Sequence, residues 1–224
     1  MRRRGPVVAL DGPSGAGKST AGRELAARLG YTFIDTGAMY RALALKALRS
    51  GTALDSEPAL AALARDVRIE LLPGLVRLDG EDVTTAIRSR ETSAAASRVS
   101  AHPAVRREMV ARQRGMGEEG GVVLDGRDIA TAVFPDAEVK IYVDADPKVR
   151  ARRRYEELRA AGEEASLEAI EREVRERDEK DSRRADSPLT RAKDAVLVDT
   201  TGVAAEEVVA RMVAIVERAG RPSG

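Results

Sequence analysis

Residues Gly12-Pro13-Ser14-Gly15-Ala16-Gly17-Lys18-Ser19 follow the spacing G-x-x-x-x-G-K-[ST]. Such a run suits one task. Its glycines let successive backbone N–H groups curl around an anion, and a helix beginning at its end adds partial positive charge. Lys18 is spaced to reach the β- and γ-phosphates of a nucleoside triphosphate, and the Ser19 hydroxyl to ligate Mg²⁺. Thr20 follows at the helix start and belongs to the same triphosphate-binding run. A chance match somewhere in a chain of this size is on the order of 1%. The loop specifies a nucleoside triphosphate and Mg²⁺ but leaves the reaction open. The N-K-x-D motif of GTPases and the L-S-G-G-Q motif of transporter ATPases are both missing.

Two further segments carry chemistry. Asp125-Gly126-Arg127-Asp128 follows an apolar run at 122–124. An acidic residue at a strand end is placed to hold Mg²⁺ or its water beside Ser19. Gly126 permits close backbone approach, and Arg127 and Asp128 would point into the same crevice. Asp35-Thr36-Gly37-Ala38-Met39-Tyr40-Arg41 follows a second strand candidate. Asp35 or Thr36 can cap the next helix, and Arg41 would emerge near its start. His102, before Pro103, reads as an ordinary, partly exposed histidine.

The elements that must position these residues alternate. Residues 7–10 read as a buried strand, and Lys18–Leu29 as a helix stopped by Gly30. Residues 31–34 form a second strand, 40–48 a helix, and 60–64 continue helically. Strands at 67–72 and 75–78, with Pro73-Gly74 and Asp79-Gly80 as turns, mark a small antiparallel insertion over 65–90. Residues 92–114 return to a helical pattern. Strands follow at 122–124, 139–143 and 196–198, and an amphipathic helix closes the chain over 204–219. Residues 147–184 are charge-dense; from Glu171 to Arg184, twelve of fourteen residues are charged, the mark of a solvated helix face. Alternation of this kind implies an α/β fold with a parallel sheet covered by helices on both faces. Ligands of such sheets bind at the carboxyl ends of the strands, where the candidate residues cluster.

Composition excludes several classes. A chain of 224 residues is one domain of ordinary size. Zero cysteines rule out disulfides, thiolate nucleophiles and Cys-based metal sites, and one histidine rules out a multi-His centre. Two phenylalanines, four tyrosines and no tryptophan are too few for base-stacking platforms. The net charge of +1 lacks the field of a nucleic-acid binder, although 32 of the 38 cations are arginine. Met1-Arg2-Arg3-Arg4 could open a signal peptide, but the apolar run behind it ends at Asp11. No segment approaches a membrane span. The expectation is a soluble, cytoplasmic protein.

The loop in its form D-G-P-S-G-A-G-K-S (11–19), the D-T-G-A-M-Y-R segment (35–41), A-S-R-V-S-A-H-P-A-V-R (96–106), D-G-R-D (125–128) and R-D-E-K-D-S-R-R (177–184) together resemble the bacterial cytidylate kinases. The order and spacing match from about residue 6 to 218. Ser19 stands where some relatives carry glycine, and serine is the better metal ligand. The resemblance implies a P-loop nucleoside-monophosphate-kinase fold in one domain. Its core would be about 1–64, 91–146 and 187–224, its monophosphate-binding insertion 65–90, and its helical lid about 147–186. It implies ATP + CMP or dCMP → ADP + CDP or dCDP, with Mg²⁺ as cofactor and a monomer as the working form.

The resemblance further implies that Arg41, Arg127 and Arg184 bind the CMP phosphate, and that Thr36, Tyr40 and Asp125 also belong to the CMP-binding residues. Arg177 and Asp181 join from the end of the lid, Asp181 on the ribose hydroxyls. Cytosine shows an N4 donor beside N3 and O2 acceptors. Asp128 with Ser97 can therefore prefer it to uracil, and Arg106 can donate to N3 and O2. Within the lid Arg150, Arg153 and Arg154 share one helix face; a cationic face closing over the γ-phosphate would stabilise the charge of phosphoryl transfer. The alternative is another P-loop kinase of a small acceptor, such as a UMP/CMP-type enzyme. An adenylate kinase is disfavoured because D-G-F-P-R is absent where D-G-R-D stands, and a nucleic-acid-binding module by the near-neutral charge.

Overall fold

A computed structural model describes residues 4–160 and 162–219. Met1–Arg3, considered above as the start of a leader, and residue 161 of the expected lid lie outside the described residues. The described chain divides into two compact units. The first is formed by the chain up to Phe33 and from Glu119 onward, the second by Ile34–Glu118.

The first unit is built on five strands, β1 (Val7–Asp11), β2 (Thr32–Asp35), β6 (Val122–Asp125), β7 (Val139–Asp144) and β8 (Val196–Asp199), in the order β2-β6-β1-β7-β8. The chain passes into the second unit within β2. β1 pairs in parallel with β6 and β7, and β7 with β8. β1 is buried throughout, which is why it reads as an unbroken apolar run. Helices α1 (Lys18–Leu29) and α8 (Ala205–Ala219) close a core containing Leu10, Leu25, Val123, Ile141 and Met212. All five strands end in aspartate, at 11, 35, 125, 144 and 199. The carboxyl edge of the sheet is thus lined with carboxylates.

Helices α6 (Pro147–Ala160) and α7 (Leu167–Ser182) also belong to the first unit. They enclose a small cluster of Ala151, Leu158, Ile170 and Val174. The charge-dense run is therefore a real helix with a solvated face, held by a narrow apolar seam.

The second unit carries α2 (Thr36–Arg49), α3 (Glu57–Asp66), α4 (Arg90–Val99), α5 (Pro103–Gly117) and an antiparallel sheet β3-β4-β5 (Ile69–Leu72, Leu75–Leu78, Glu81–Asp82). Its core includes Met39, Leu43, Leu60, Ile87 and Met109. The small sheet stands where the turn dipeptides place it, and it packs with the surrounding helices as one unit rather than alone.

Two local readings need correction. The helix expected to begin at Tyr40 begins at Thr36, because the Asp35 side chain accepts the Ala38 N–H at 2.8 Å and caps it. The helical pattern over 92–114 is two helices, broken at 100–102 because Pro103 pushes His102 into extended backbone (φ −80, ψ 119) and then starts α5. Unforeseen were the short strand β5, the 3-10 turn Ala86–Arg88 and the wide π-helical turn Ile129–Val133 directly after Asp128.

Candidate active site

The phosphate loop joins β1 to α1 in the first unit. Gly12 has φ 144, and a Cβ there would lie 1.9 Å from the Val143 carbonyl oxygen, so only glycine fits. Gly15 and Gly17 also adopt left-handed φ, 78 and 87, which turns the loop amides toward one centre. Lys18 is buried, and its Nζ donates to the Pro13 carbonyl at 2.7 Å across the loop. It also lies 4.0 Å from Asp125 Oδ1. Burial, and then the positive charge of Arg127, push Lys18 down to about 7. The Ser19 hydroxyl donates to Asp125 Oδ2. The structure thus brings together the two side chains that the sequence nominated for a metal.

Beyond Asp125 the loop carries Arg127 and Asp128. Arg127 donates through Nε to Asp181 Oδ2 at 3.1 Å and through Nη1 to the Gly126 carbonyl at 3.2 Å. Arg184 donates to the other Asp181 oxygen at 2.5 Å. Asp181 is 1% exposed. Burial works against its charge, but Arg127, Arg184 and Arg177 outweigh burial and hold it below the usual carboxylate range. Burial likewise opposes the charge of Arg127, and Asp181 and Asp125 more than restore it. Lys18, Asp125, Arg127, Arg177, Asp181 and Arg184 therefore form one electrostatic cluster, with cations gathered around two carboxylates. Asp128 is buried beside it.

The three nominated arginines of α6 diverge. Arg150 is buried and engaged on every side: Nε donates to the Ala145 carbonyl at 2.9 Å, Nη1 to the Ser14 carbonyl at 3.2 Å, and both Nη atoms to Asp178 at 3.1 and 2.6 Å. It braces the phosphate loop from behind. Arg153 reaches the Gly15 carbonyl at 3.4 Å and the Thr200 hydroxyl and carbonyl at 3.0 and 2.9 Å. Thr200 in turn donates to the Ala16 carbonyl at 3.0 Å. Arg154 pairs with Glu157 at 3.3 Å. In this structure the shared helix face does not form one cationic surface.

The second unit carries the other nominated residues. Arg41 donates to Asp35 at 3.1 Å, so one carboxylate both caps α2 and holds the arginine on its first turns. A Cβ on Gly37 would lie 3.0 Å from the Arg41 guanidinium, so a larger residue there would require the tip of the arginine to shift. Thr36 is the buried first residue of α2. The Arg106 guanidinium lies 5.8 Å from the centre of the Tyr40 ring and donates to the Ser100 carbonyl at 3.3 Å. Ser97 sits on α4, and its carbonyl accepts the Ser100 hydroxyl at 3.3 Å. His102 bonds the Leu54 carbonyl through Nε2 at 2.9 Å, a structural contact.

Three residues of this machinery escaped the sequence reading. Asp178 and Thr200 hold Arg150 and Arg153, and Asp11 holds the backbone behind Asp128, accepting the Ile129 and Ala130 N–H groups at 2.8 and 2.7 Å. The signal for Asp11 was present: an aspartate closing a buried apolar strand needs a reason.

Comparison with known proteins agrees with this geometry. The family model described as cytidylate kinase matches residues 8–218. A cytidylate kinase of Geobacillus kaustophilus is 51% identical over 225 residues, covering 98% of this chain and 100% of its own. One of Solibacter usitatus is 52% identical over 204 residues, covering 90% and 88%. One of Geobacter sulfurreducens is 51% identical over 223 residues, covering 98% and 96%. Among solved structures, a shikimate kinase from Acinetobacter baumannii in complex with shikimate is 18% identical, with a TM-score of 0.50 and coverage of 98% and 97%. At that identity it is a likeness of fold alone. The family match over nearly the whole length, on a chain whose phosphate loop and arginine cluster are built as described, leaves one conclusion: this chain belongs to the cytidylate kinase family.

Proposed function

We propose that this chain transfers the γ-phosphoryl group of ATP to CMP and dCMP, as a cytoplasmic monomer, with Mg²⁺ bound beside the phosphate loop. The observation that carries the reading is the cluster in which Lys18, Arg127, Arg177 and Arg184 gather around Asp125 and Asp181 at the carboxyl edge of the sheet. An oxygen of the CMP phosphate attacks the γ-phosphorus, the bond to the β–γ bridging oxygen breaks, and ADP leaves. The attacking oxygen is already anionic, so no general base is required. The protein's work is positioning and charge stabilisation.

Ser19 and Asp125 would hold the metal. Their hydroxyl and carboxylate oxygens converge on one another, and hard oxygen donors suit Mg²⁺. When bound, Mg²⁺ neutralises charge on the β- and γ-phosphates. Lys18 and the loop from Gly12 to Thr20, through every backbone N–H but that of Pro13, orient the triphosphate. Arg153 and Arg154 are assigned to the γ-phosphate, and Arg150 to shaping the ATP loop. Arg41, Arg127 and Arg184 bind the acceptor phosphate, and Thr36 and Tyr40 are assigned to CMP without a narrower role. Arg177 and Asp181 take the ribose, while Ser97, Arg106 and Asp128 read the base. Residues 65–90 are assigned as the monophosphate-binding insertion and about 147–186 as the lid. No helix among the described residues is long and apolar enough to cross a membrane.

The test is an ADP-release assay with ATP and Mg²⁺, run in parallel on CMP, dCMP, UMP, AMP and GMP. Turnover concentrated on CMP and dCMP, and abolished by EDTA, is the expected result. Preferred turnover of AMP or GMP would overturn the base assignments, and full activity in EDTA would overturn the metal site.

A further inference from the structure

We propose that Asp11 is a positioning residue for acceptor-base recognition, acting through the backbone that carries Asp128. The proposal rests on the assignment of Asp128 to the cytosine base made above. Asp11 is the last residue of β1, and Gly12 behind it is locked by the close approach of the Val143 carbonyl. The aspartate does not turn into the phosphate loop. Its Oδ1 accepts the Ile129 N–H at 2.8 Å and its Oδ2 the Ala130 N–H at 2.7 Å, and the residue is 2% exposed.

Those two amides open the π-helical turn Ile129–Val133. Inside the turn, Ala132 and Val133 donate to the Asp128 carbonyl at 2.8 and 3.2 Å, and Phe134 to the Ile129 carbonyl at 2.7 Å. The first N–H groups of any helical turn have no partner within it. A buried amide without a partner is costly, and here one carboxylate supplies both acceptors. Only a carboxylate can do so: an asparagine offers a single oxygen and would aim its NH₂ at an N–H.

The arrangement is expensive for ordinary structure. It keeps a carboxylate in the interior beside a second one, Asp128, where an apolar side chain and a regular turn would cost less. What it secures is the backbone at Asp128, held at φ −146, ψ 25 between the Leu10–Gly126 hydrogen bond on one side and the anchored turn on the other. Through Asp11 the strand that delivers the phosphate loop also fixes the direction of the carboxylate assigned to the cytosine N4.

The experiment is steady-state kinetics on the full chain with Asp11→Asn, Asp128→Asn and the double variant, using CMP and UMP at varied ATP. Asp11→Asn is expected to leave the KM for ATP within about twofold. It should raise the KM for CMP about tenfold and lower the CMP-over-UMP ratio of kcat/KM at least about fivefold. Because the effect passes through Asp128, adding Asp11→Asn to Asp128→Asn should change that ratio by less than about twofold. Asp11→Ser, whose hydroxyl also offers one oxygen, should show the same split. If Asp128→Asn alone leaves the ratio unchanged, the base assignment fails and the proposal with it. If Asp128→Asn narrows the ratio and Asp11→Asn does not, the base assignment stands and the proposal is overturned. It is equally overturned if the KM for ATP rises in parallel with that for CMP. It is overturned too if neither Asp11 variant folds by circular dichroism, since Asp11 would then serve folding alone.

Discussion

A lysine buried among cations is held in a poor position to keep its proton until an anion arrives. Lys18 is in that position: burial and Arg127 press its pKa down to about 7, while Asp125 and Asp11 oppose them. Its ordinary value is near 10.5, so above pH 7 a growing fraction of the ligand-free protein carries neutral Lys18. A triphosphate favours the ammonium form. Binding of ATP with Mg²⁺ at pH 8 should therefore take up a proton, and the uptake should shrink below pH 7. Titration calorimetry in buffers of differing ionisation enthalpy measures it directly, and no buffer dependence at pH 8 would contradict the argument. Lys18→Ala should abolish this linkage and reduce transfer by at least about 10²-fold, the scale for losing one preorganised charge stabiliser. Circular dichroism should stay unchanged, because Lys18 packs no core.

The phosphate loop is supported as an element by what lies behind it. Arg150 on α6 joins the Ser14 carbonyl to Asp178 on α7 and to the end of β7. A two-pronged guanidinium–carboxylate contact of this kind cannot be replaced by a point charge. Arg150→Met keeps the apolar stem but leaves Asp178 and two carbonyls without their donor. Stability should fall by about 1–3 kcal/mol, because two carbonyls lose their donor while Asp178, a quarter exposed, keeps access to water. The KM for ATP should rise about tenfold, with the KM for CMP changed by less than twofold. Arg150→Lys should recover little of either loss. Urea unfolding and initial rates check both. The charge pattern of 147–184 announced helices, but not that one of the arginines on α6 turns inward. The i, i+3, i+4 spacing fixes only the face on which a side chain starts. Its end depends on a partner 28 residues away.

In the molecule as a whole, each unit has its own hydrophobic cluster. Leu43, fully buried on α2, packs in the second with Met39, Leu60, Ile87 and Met109. Leu43→Ala should cost about 2–5 kcal/mol. It should appear as a lower urea midpoint at an unchanged slope if the native state keeps its compactness. The antiparallel strands at 67–78 were legible from turn dipeptides alone. That α2 to α5 would group with them was not, because their apolar faces have the same period whichever sheet they cover.

Legible in the residues alone were the phosphate loop, the strands that end in aspartate and the paired strands of the small antiparallel sheet. Each is a local matter: a glycine where only glycine fits, a run of β-branched residues, a turn dipeptide, a motif of fixed spacing. Which partner each charged side chain meets was settled by the folded arrangement. It made Arg150 a brace, joined Arg127 and Arg184 through Asp181, gave Arg41 to Asp35, and turned Asp11 toward the amides of a π-helical turn 118 residues away. A guanidinium or carboxylate has the same chemistry whether it faces solvent, a ligand or a buried partner. The choice is set by desolvation and by groups distant in the chain, and only the folded arrangement brings those together.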